Sequence, residues 1–499
     1  MATTVDHITP GIAAETFFKD YISRRRPVVL SGLPDDASFQ ATKWTDLNYL
    51  ASKAGDVEVL VEPMHASIRQ FGTDVQRIPM RFRNFLDSLK QEDGPHHYLT
   101  TQYSGEEWDS LTVLSPPTDA LSSDFPDVPP VMGNLFLQQA NLWIGKSKEG
   151  SSSGLHHDFH DNLYCLLKGR KRFVLFPPKE HVNLYPNGTV HKLYGNGVIT
   201  YDPILRADGL DQRVALQAKV EALQKRLDAL PVTKGKGKGK AKTDTRERQA
   251  LQEALDKAQK ELKSYTEDDE DGFLSSISDD EEDGSDLEGK VLDDDDLGSL
   301  AGDLEDGHDD YDALIAGLDE NGDNEEPSSP SVGGSKTAQN GAPANTTSDE
   351  PASFSRIPTA YLHRQLNLPT TAVPPGDTAP SDFPDLVKAA PPYIVELKAG
   401  EMLYLPASWW HEVTSFSAGE GEGEGGDVHM AFNYWFYPPD AETFEEPYAD
   451  KIVWEHLREK AAKERHEGRG NGELADDTLD NGKRKREEGE GKPQKKAKH

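Results

Sequence analysis

A single cysteine, Cys165, in 499 residues excludes an intrachain disulfide and fits a reducing compartment. The same scarcity rules out a zinc cluster built on thiolates, and Cys165 itself reads as a buried small apolar residue. Long apolar runs are missing too. No stretch of 18 apolar residues occurs, so nothing reads as membrane-spanning, and Met1-Ala-Thr-Thr-Val-Asp-His7 lacks the basic and apolar regions of a secretory signal. Hydrophobic residues make up only 35% of the chain and the mean hydropathy is −0.70, so part of this length cannot belong to a packed core. Positive charge is also short, with 54 Lys and Arg against 88 Asp and Glu, a net charge of −34. That imbalance is local. Residues 267–326 hold 27 acidic residues and one lysine, which accounts for −26 of it.

What is present centres on two stretches, Ser153-Gly-Leu-His-His-Asp-Phe-His-Asp-Asn162 and Gly400-Glu-Met-Leu-Tyr-Leu-Pro-Ala-Ser-Trp-Trp-His411. In extended chain, His156 and Asp158 share one face while His157 turns to the other. With His411 from a distant strand they form a set of two histidines and one carboxylate. Such a set leaves adjacent coordination positions open and suits non-haem Fe(II) with O2. Lys171, in the strand-like Gly169-Arg-Lys-Arg-Phe-Val-Leu-Phe-Pro-Pro178, and Asn433, in Met430-Ala-Phe-Asn-Tyr-Trp-Phe-Tyr437, are polar residues in apolar runs. Buried, each requires a partner, and a dicarboxylate bound at iron would provide one.

Asn141-Leu-Trp-Ile-Gly145, Asn162-Leu-Tyr-Cys165, Ala399-Gly-Glu-Met-Leu-Tyr-Leu-Pro-Ala407 and Asn433-Tyr-Trp435 resemble the JmjC (cupin-type) oxygenases that use Fe(II) and 2-oxoglutarate. The resemblance is nearest to their small hydroxylase branch, which holds a lysyl hydroxylase and the asparaginyl hydroxylase that inhibits hypoxia-inducible factor. It covers most of residues 10–205 and 375–440. It implies His156, Asp158 and His411 as iron ligands and catalytic centre, and Lys171 as the partner of the distal carboxylate of 2-oxoglutarate, helped by Tyr98 and Ser153. Ser153 stands where the family often has threonine, and it keeps the hydroxyl. In such a site Asn162 and Asn433 are expected to be hydrogen-bonding groups near iron and 2-oxoglutarate, and His157 and His160 structural residues. The expected cofactors and cosubstrates are Fe(II), 2-oxoglutarate and O2.

The expected fold is mainly β with flanking helices. Its centre is a double-stranded β-helix, a cupin-like jelly roll, interrupted by a long helical and acidic insertion. Candidate strands are Ala140–Gly145, Asn162–Gly169, Lys171–Phe176, Tyr393–Leu397, Met402–Pro406, Glu412–Phe416 and His429–Tyr437, separated by turns at Gly169, Gly400 and the Gly-rich stretch 418–427. Residues 1–135 read as a mixed α/β section packed on the core, and 136–207 with 350–440 as the catalytic core. His156 and His411 lie 255 positions apart, where such a barrel needs roughly 70–100, so something is inserted. Within 208–266, Leu216, Val220, Leu223, Leu227 and Leu230, and then Leu251, Leu255, Ala258 and Leu262, recur at helical spacing. They predict a helical hairpin joined by the basic link Lys234–Lys242, serving as a spacer arm or as a coiled coil that binds a partner. Residues 267–349 are too polar and acidic to offset their ordering entropy and are expected to be disordered.

Residues 441–499 begin with a helix over 447–467 that could pack on the core or on a second subunit, making a homodimer conceivable. They end in the basic clusters Lys483–Arg486 and Lys495–Lys498, which read as a bipartite nuclear import signal. A nuclear or cytoplasmic location follows as the expectation. The acidic segment favours a protein partner or substrate that is basic or associated with nucleic acid, with no direct nucleic-acid contact by this chain. Three functions fit. By resemblance the first is a protein side-chain hydroxylase, with lysine as target. The second is histone-lysine demethylation by the same iron chemistry. The third is a non-enzymatic acidic scaffold for basic proteins.

Overall fold

The computed structural model describes residues 4–72, 75–91, 94–102, 114–201, 204–230, 240–277, 351–373, 382–417 and 428–463. The acidic stretch beyond residue 277, the Gly-rich stretch 418–427, most of the basic link and both basic clusters of the tail lie outside them.

Two sheets face one another. The larger has nine strands, and at its centre Met402–Leu405, Asp161–Lys168, Val428–Phe436 and Leu137–Lys146 lie side by side. The smaller has four, in the order Tyr393–Lys398, Arg170–Phe176, Trp410–Phe416 and Ser151–His156. These eight strands make the double-stranded β-helix. Leu166, Leu403, Leu405 and Ala431 from the large sheet meet Phe173, Leu175, Val395 and Leu397 from the small one in a single buried cluster. Strands buried on both faces are apolar almost throughout rather than alternating, as in Val428–Phe436, where every residue is buried. At Gly169 and Gly400 the turns run at φ of +83° and +87°, a region that favours glycine.

The amino-terminal section contributes five strands to the large sheet: Asp6–Ile8, Val28–Leu30, Glu58–Pro63, Ile78–Arg81 and His97–Leu99. Arg25 clamps it with a bidentate ion pair to the fully buried Asp161, whose carboxylate also accepts from Tyr404 Oη at 2.7 Å and Ala407 N at 2.9 Å. The first helix of this section, Ala14–Phe17, continues as one wider turn over Phe18–Ile22. On the outer face of the small sheet, Ile357, Tyr361 and Leu362, from the segment that re-enters after the insertion, pack on Val174, Phe176 and Trp410.

A second compact unit comprises the described residues of Ala215–Phe273 together with residues 450–463. Helix Gln212–Ala229 packs Leu223 and Leu227 against Leu255 and Ala258 of helix Lys240–Ile277. A helix over 451–463 joins them through Ile452. Polar pairs line this last contact: Arg226 with Glu455 at 2.5 Å, His456 with Glu221 at 2.9 Å, and Lys225 with Glu459. The Arg226 and Lys225 pairs are solvent-facing and add little to stability; the apolar seam holds the helices together. The heptad rhythm therefore serves a three-helix arrangement, and the carboxyl-terminal helix finds its partner within this unit.

Candidate metal centre

The small sheet brings the distant histidines together. His411 and His156 are directly paired across neighbouring strands, and their ring centres are 4.3 Å apart. His156 is the last residue of its strand; Asp158 lies just beyond, in the connection to Asp161–Lys168. One ligand atom from each of His156, Asp158 and His411 falls within 4.8 Å of the others, and Asp158 Oδ2 is 3.6 Å from His411 Nε2. His157 turns away, and its Nε2 meets Tyr201 Oη at 2.8 Å. His160, also buried, stacks on Trp435.

Both imidazoles are held in the tautomer a metal needs. His156 Nδ1 lies 3.1 Å from the Gly154 carbonyl and His411 Nδ1 2.8 Å from that of Trp409. A carbonyl only accepts, so Nδ1 carries the proton and Nε2 keeps its lone pair. Burial lowers both pKa values to about 4, His411 adding to the effect on His156, so both rings are neutral at physiological pH. Asp158 is pushed up by burial, which His156 and a hydrogen bond from Asn162 oppose. Asn433 Nδ2 donates to Asn162 Oδ1 at 3.0 Å, and Trp143 Nε1 donates to Asn433 Oδ1 at 2.9 Å. Trp143, Asn433 and Asn162 thus form a chain that ends on the carboxylate of the triad. Two neutral imidazoles and a carboxylate on one side of a cavity suit a divalent first-row metal with open positions.

The cavity beside the triad is lined by Phe71, Trp143, Tyr164, Phe173, Leu405 and Val413, with Tyr98, Ser153 and Ser415 among its polar residues. Lys171 is fully buried, and its Nζ donates to Ser415 Oγ at 2.6 Å and Tyr98 Oη at 3.2 Å. Both partners are hydroxyls. With no carboxylate beside it among the described residues, burial lowers its pKa to about 7, and an entering anion would complete the pair. Ser153 lines the cavity with its Oγ on the Gly154 carbonyl, so the hydroxyl on Lys171 is that of Ser415.

Three residues here escaped the sequence reading. Ser415 was within reach, because stepping by two from His411 through Val413 gives the inward face of the strand. Trp143 lay inside a quoted motif, and its cross-strand neighbour Ala431 places it inward. Phe354 gave no signal. It lies beyond the acidic insertion, yet its ring stacks on His156 at 4.8 Å and 15°. Its segment is fixed by His157 N to Ser353 O at 3.1 Å and Ser355 N to Leu155 O at 2.8 Å. Such a stack contributes about 0.5–1.5 kcal/mol. Phe354→Ala is therefore expected to weaken Co(II) or Fe(II) binding by about threefold to tenfold in a metal titration, with secondary structure unchanged.

Comparison with known proteins agrees with this geometry. The profile of the cupin-like domain family matches residues 14–442. JmjC domain-containing protein 4 of Schizosaccharomyces pombe is 36% identical over 466 residues, covering 90% of this chain and 87% of that protein. Shorter similarities connect the chain to lysine-specific demethylase JMJ30 of Arabidopsis thaliana, 28% identical over 35% of this chain and 38% of the relative. Human tRNA wybutosine-synthesizing protein 5 is 27% identical over 36% of this chain and 58% of its own length.

Proposed function

The chain belongs to the cupin-like JmjC family of Fe(II)- and 2-oxoglutarate-dependent oxygenases, and from that premise we propose that it hydroxylates a side chain, lysine foremost, of a protein substrate. The observation that carries this reading is the pairing, along one strand, of a metal triad at His411 with the buried Lys171–Ser415 pair four residues on. Four residues of strand span about 13 Å, and both ends lie along the one cavity that His411, Val413 and Ser415 line. When bound, Fe(II) with 2-oxoglutarate and O2 supplies oxidising power, yielding succinate and carbon dioxide and placing one oxygen atom in a substrate C–H bond.

The protein's own residues bind, orient and shield. His156 and His411 present Nε2 lone pairs that the Gly154 and Trp409 carbonyls hold in direction. Asn162 steadies the Asp158 carboxylate. Lys171 gives the remote carboxylate a charge-assisted hydrogen bond in a region of low dielectric, where such bonds are strong. The apolar wall keeps water from the reacting centre.

Demethylation of an N-methyl group would use the same site, and a demethylase is among the similar proteins. Against it stands the single cysteine, which cannot build the zinc-bound reader modules that accompany chromatin enzymes. Mass spectrometry of basic proteins incubated with enzyme, Fe(II) and 2-oxoglutarate separates the two: hydroxylation adds one oxygen atom, whereas demethylation removes a methyl group.

The acidic segment supports a basic protein as substrate or partner. Helix Gln212–Ala229 carries the helix over 451–463, so a deletion that tests the acidic segment should begin after residue 277. Replacing 278–349 by a short Gly/Ser linker is expected to leave turnover on a peptide intact, since closing a long loop costs only logarithmically in its length. Binding of a basic full-length partner should weaken roughly tenfold at low salt and little at high salt. Unchanged binding at low salt would reduce the segment to a solubilising spacer. The two basic clusters of the tail support nuclear import; a fluorescent fusion lacking 483–498 that still enters the nucleus would count against it.

A further inference from the structure

Close to Lys171, beside the ring of the cavity-lining Tyr98, lies a histidine that has no role so far. His429 is 1% exposed, and among the described residues neither of its ring nitrogens has a hydrogen-bond partner. Alternation along Val428–Phe436 puts His429, Ala431 and Asn433 in one row, and Asn433 is the residue bonded to Asn162 beside the triad. The row therefore runs from the metal end, past the small Ala431, to His429 at the far end. There its ring centre is 5.6 Å from that of Tyr98, which bonds Lys171. The facing residue in the neighbouring strand is Gly145. A Cβ on Gly145 would stand 2.7 Å from Tyr98 Cδ2 and 2.8 Å from His429 Cε1, so glycine is what allows the two rings to converge. Burial, reinforced by the nearby Lys171 charge, keeps the imidazole neutral, with one N–H donor and one acceptor.

An orphaned, fully buried imidazole costs free energy unless a ligand satisfies it. We propose that His429 is the specificity-determining residue at the carboxylate end of the cosubstrate cavity: its ring N–H donates to the distal carboxylate beside Lys171, Tyr98 and Ser415, and its bulk fixes the length of diacid that fits. This rests on the assignment of 2-oxoglutarate to the cavity.

Calorimetric titration of the Fe(II)-loaded protein without oxygen, with 2-oxoglutarate and with its one-carbon-longer homologue 2-oxoadipate, tests the assignment. His429→Leu removes the donor and should weaken 2-oxoglutarate binding about tenfold or more. His429→Gln retains an N–H donor and should lose less. His429→Ala should shift the preference toward 2-oxoadipate by at least about tenfold. Co(II) binding at the triad, unchanged in all three, establishes that they fold. Lys171→Ala serves as reference. If it weakens 2-oxoglutarate binding while the His429 variants keep both the wild-type affinity and the wild-type preference, the role of His429 is overturned alone. If Lys171→Ala also binds 2-oxoglutarate normally, the cosubstrate assignment falls and takes this one with it.

Discussion

His411→Ala is expected to abolish iron-dependent turnover in a protein that still folds. The effect should exceed the ~10–100-fold typical of losing a residue that merely supports a ligand. His411 lies opposite His156 in the small sheet, 3.6 Å from the Asp158 carboxylate. Alanine removes the only donor that strand Trp410–Phe416 brings to the triad. The fold tolerates the change because the backbone pairing of His411 with His156 and Leu175 does not use the imidazole. The cost is that of a buried truncation, about 1–3 kcal/mol. Two measurements are needed: Co(II) titration, where binding should be lost or greatly weakened, and 2-oxoglutarate consumption, which should fall to background. His157→Gln is the control. It lies next to His156 in sequence, but its bond is to Tyr201 on the opposite side of the sheet, so metal binding should survive. A His411→Ala protein that consumes 2-oxoglutarate near the wild-type rate would remove His411 from the centre.

How far the sequence could be read depended on whether a residue's role was local. His156 and Asp158 are two apart, so strand periodicity sufficed to bring them together. All seven candidate core strands appear, with ends shifted by up to three residues: Ala140–Gly145 becomes Leu137–Lys146, and Glu412–Phe416 becomes Trp410–Phe416. Those strands are runs of apolar residues bounded by glycine or proline, and a two-sided core demands that composition. Lys171 could be singled out because a lysine inside such a run has to be explained. The expected helper hydroxyl was that of Ser153; strand alternation from His411 puts Ser415 on the inward face, and the register pairs it directly with Lys171. Phe354 and His429 were illegible for a stronger reason. The one reaches His156 only because the chain re-enters after the insertion along the edge of strand Ser151–His156; the other is conspicuous only because its nitrogens lack partners. Both facts belong to tertiary packing. The helix over 451–463 shows the same limit: its apolar face was plain, and the two surfaces expected to receive it, the core and a second subunit, did not include the insertion helices on which Ile452 packs.

Lys171→Ala is expected to weaken 2-oxoglutarate binding by two decades or more, because removing one partner of a buried charge pair costs about 3–5 kcal/mol. The wild-type protein should show the same lysine in its pH dependence. Lys171 is held by Tyr98 and Ser415, with the Tyr98 and Tyr164 rings within 6 Å of its ammonium and His429 close by. Burial raises both tyrosines and lowers the histidine, so all three stay neutral near pH 7. Lys171, whose pKa burial lowers to about 7, is then the group at this end that titrates near neutrality. The charged form binds the dianion, and binding raises the lysine pKa in turn. Affinity should therefore be level below pH 7, where the lysine is already protonated. Above pH 7, where binding must take up a proton, it should fall by about tenfold per pH unit. The fall stops once the pH passes the raised pKa of the bound state. Lys171→Ala should abolish that slope along with the affinity, and Tyr98→Phe, which leaves the charge in place, should keep it. Calorimetry in two buffers of different ionisation enthalpy reads the proton uptake directly. A wild-type affinity that stays level from pH 6 to 9, together with an unchanged Lys171→Ala, would show that the diacid's far carboxylate lies elsewhere.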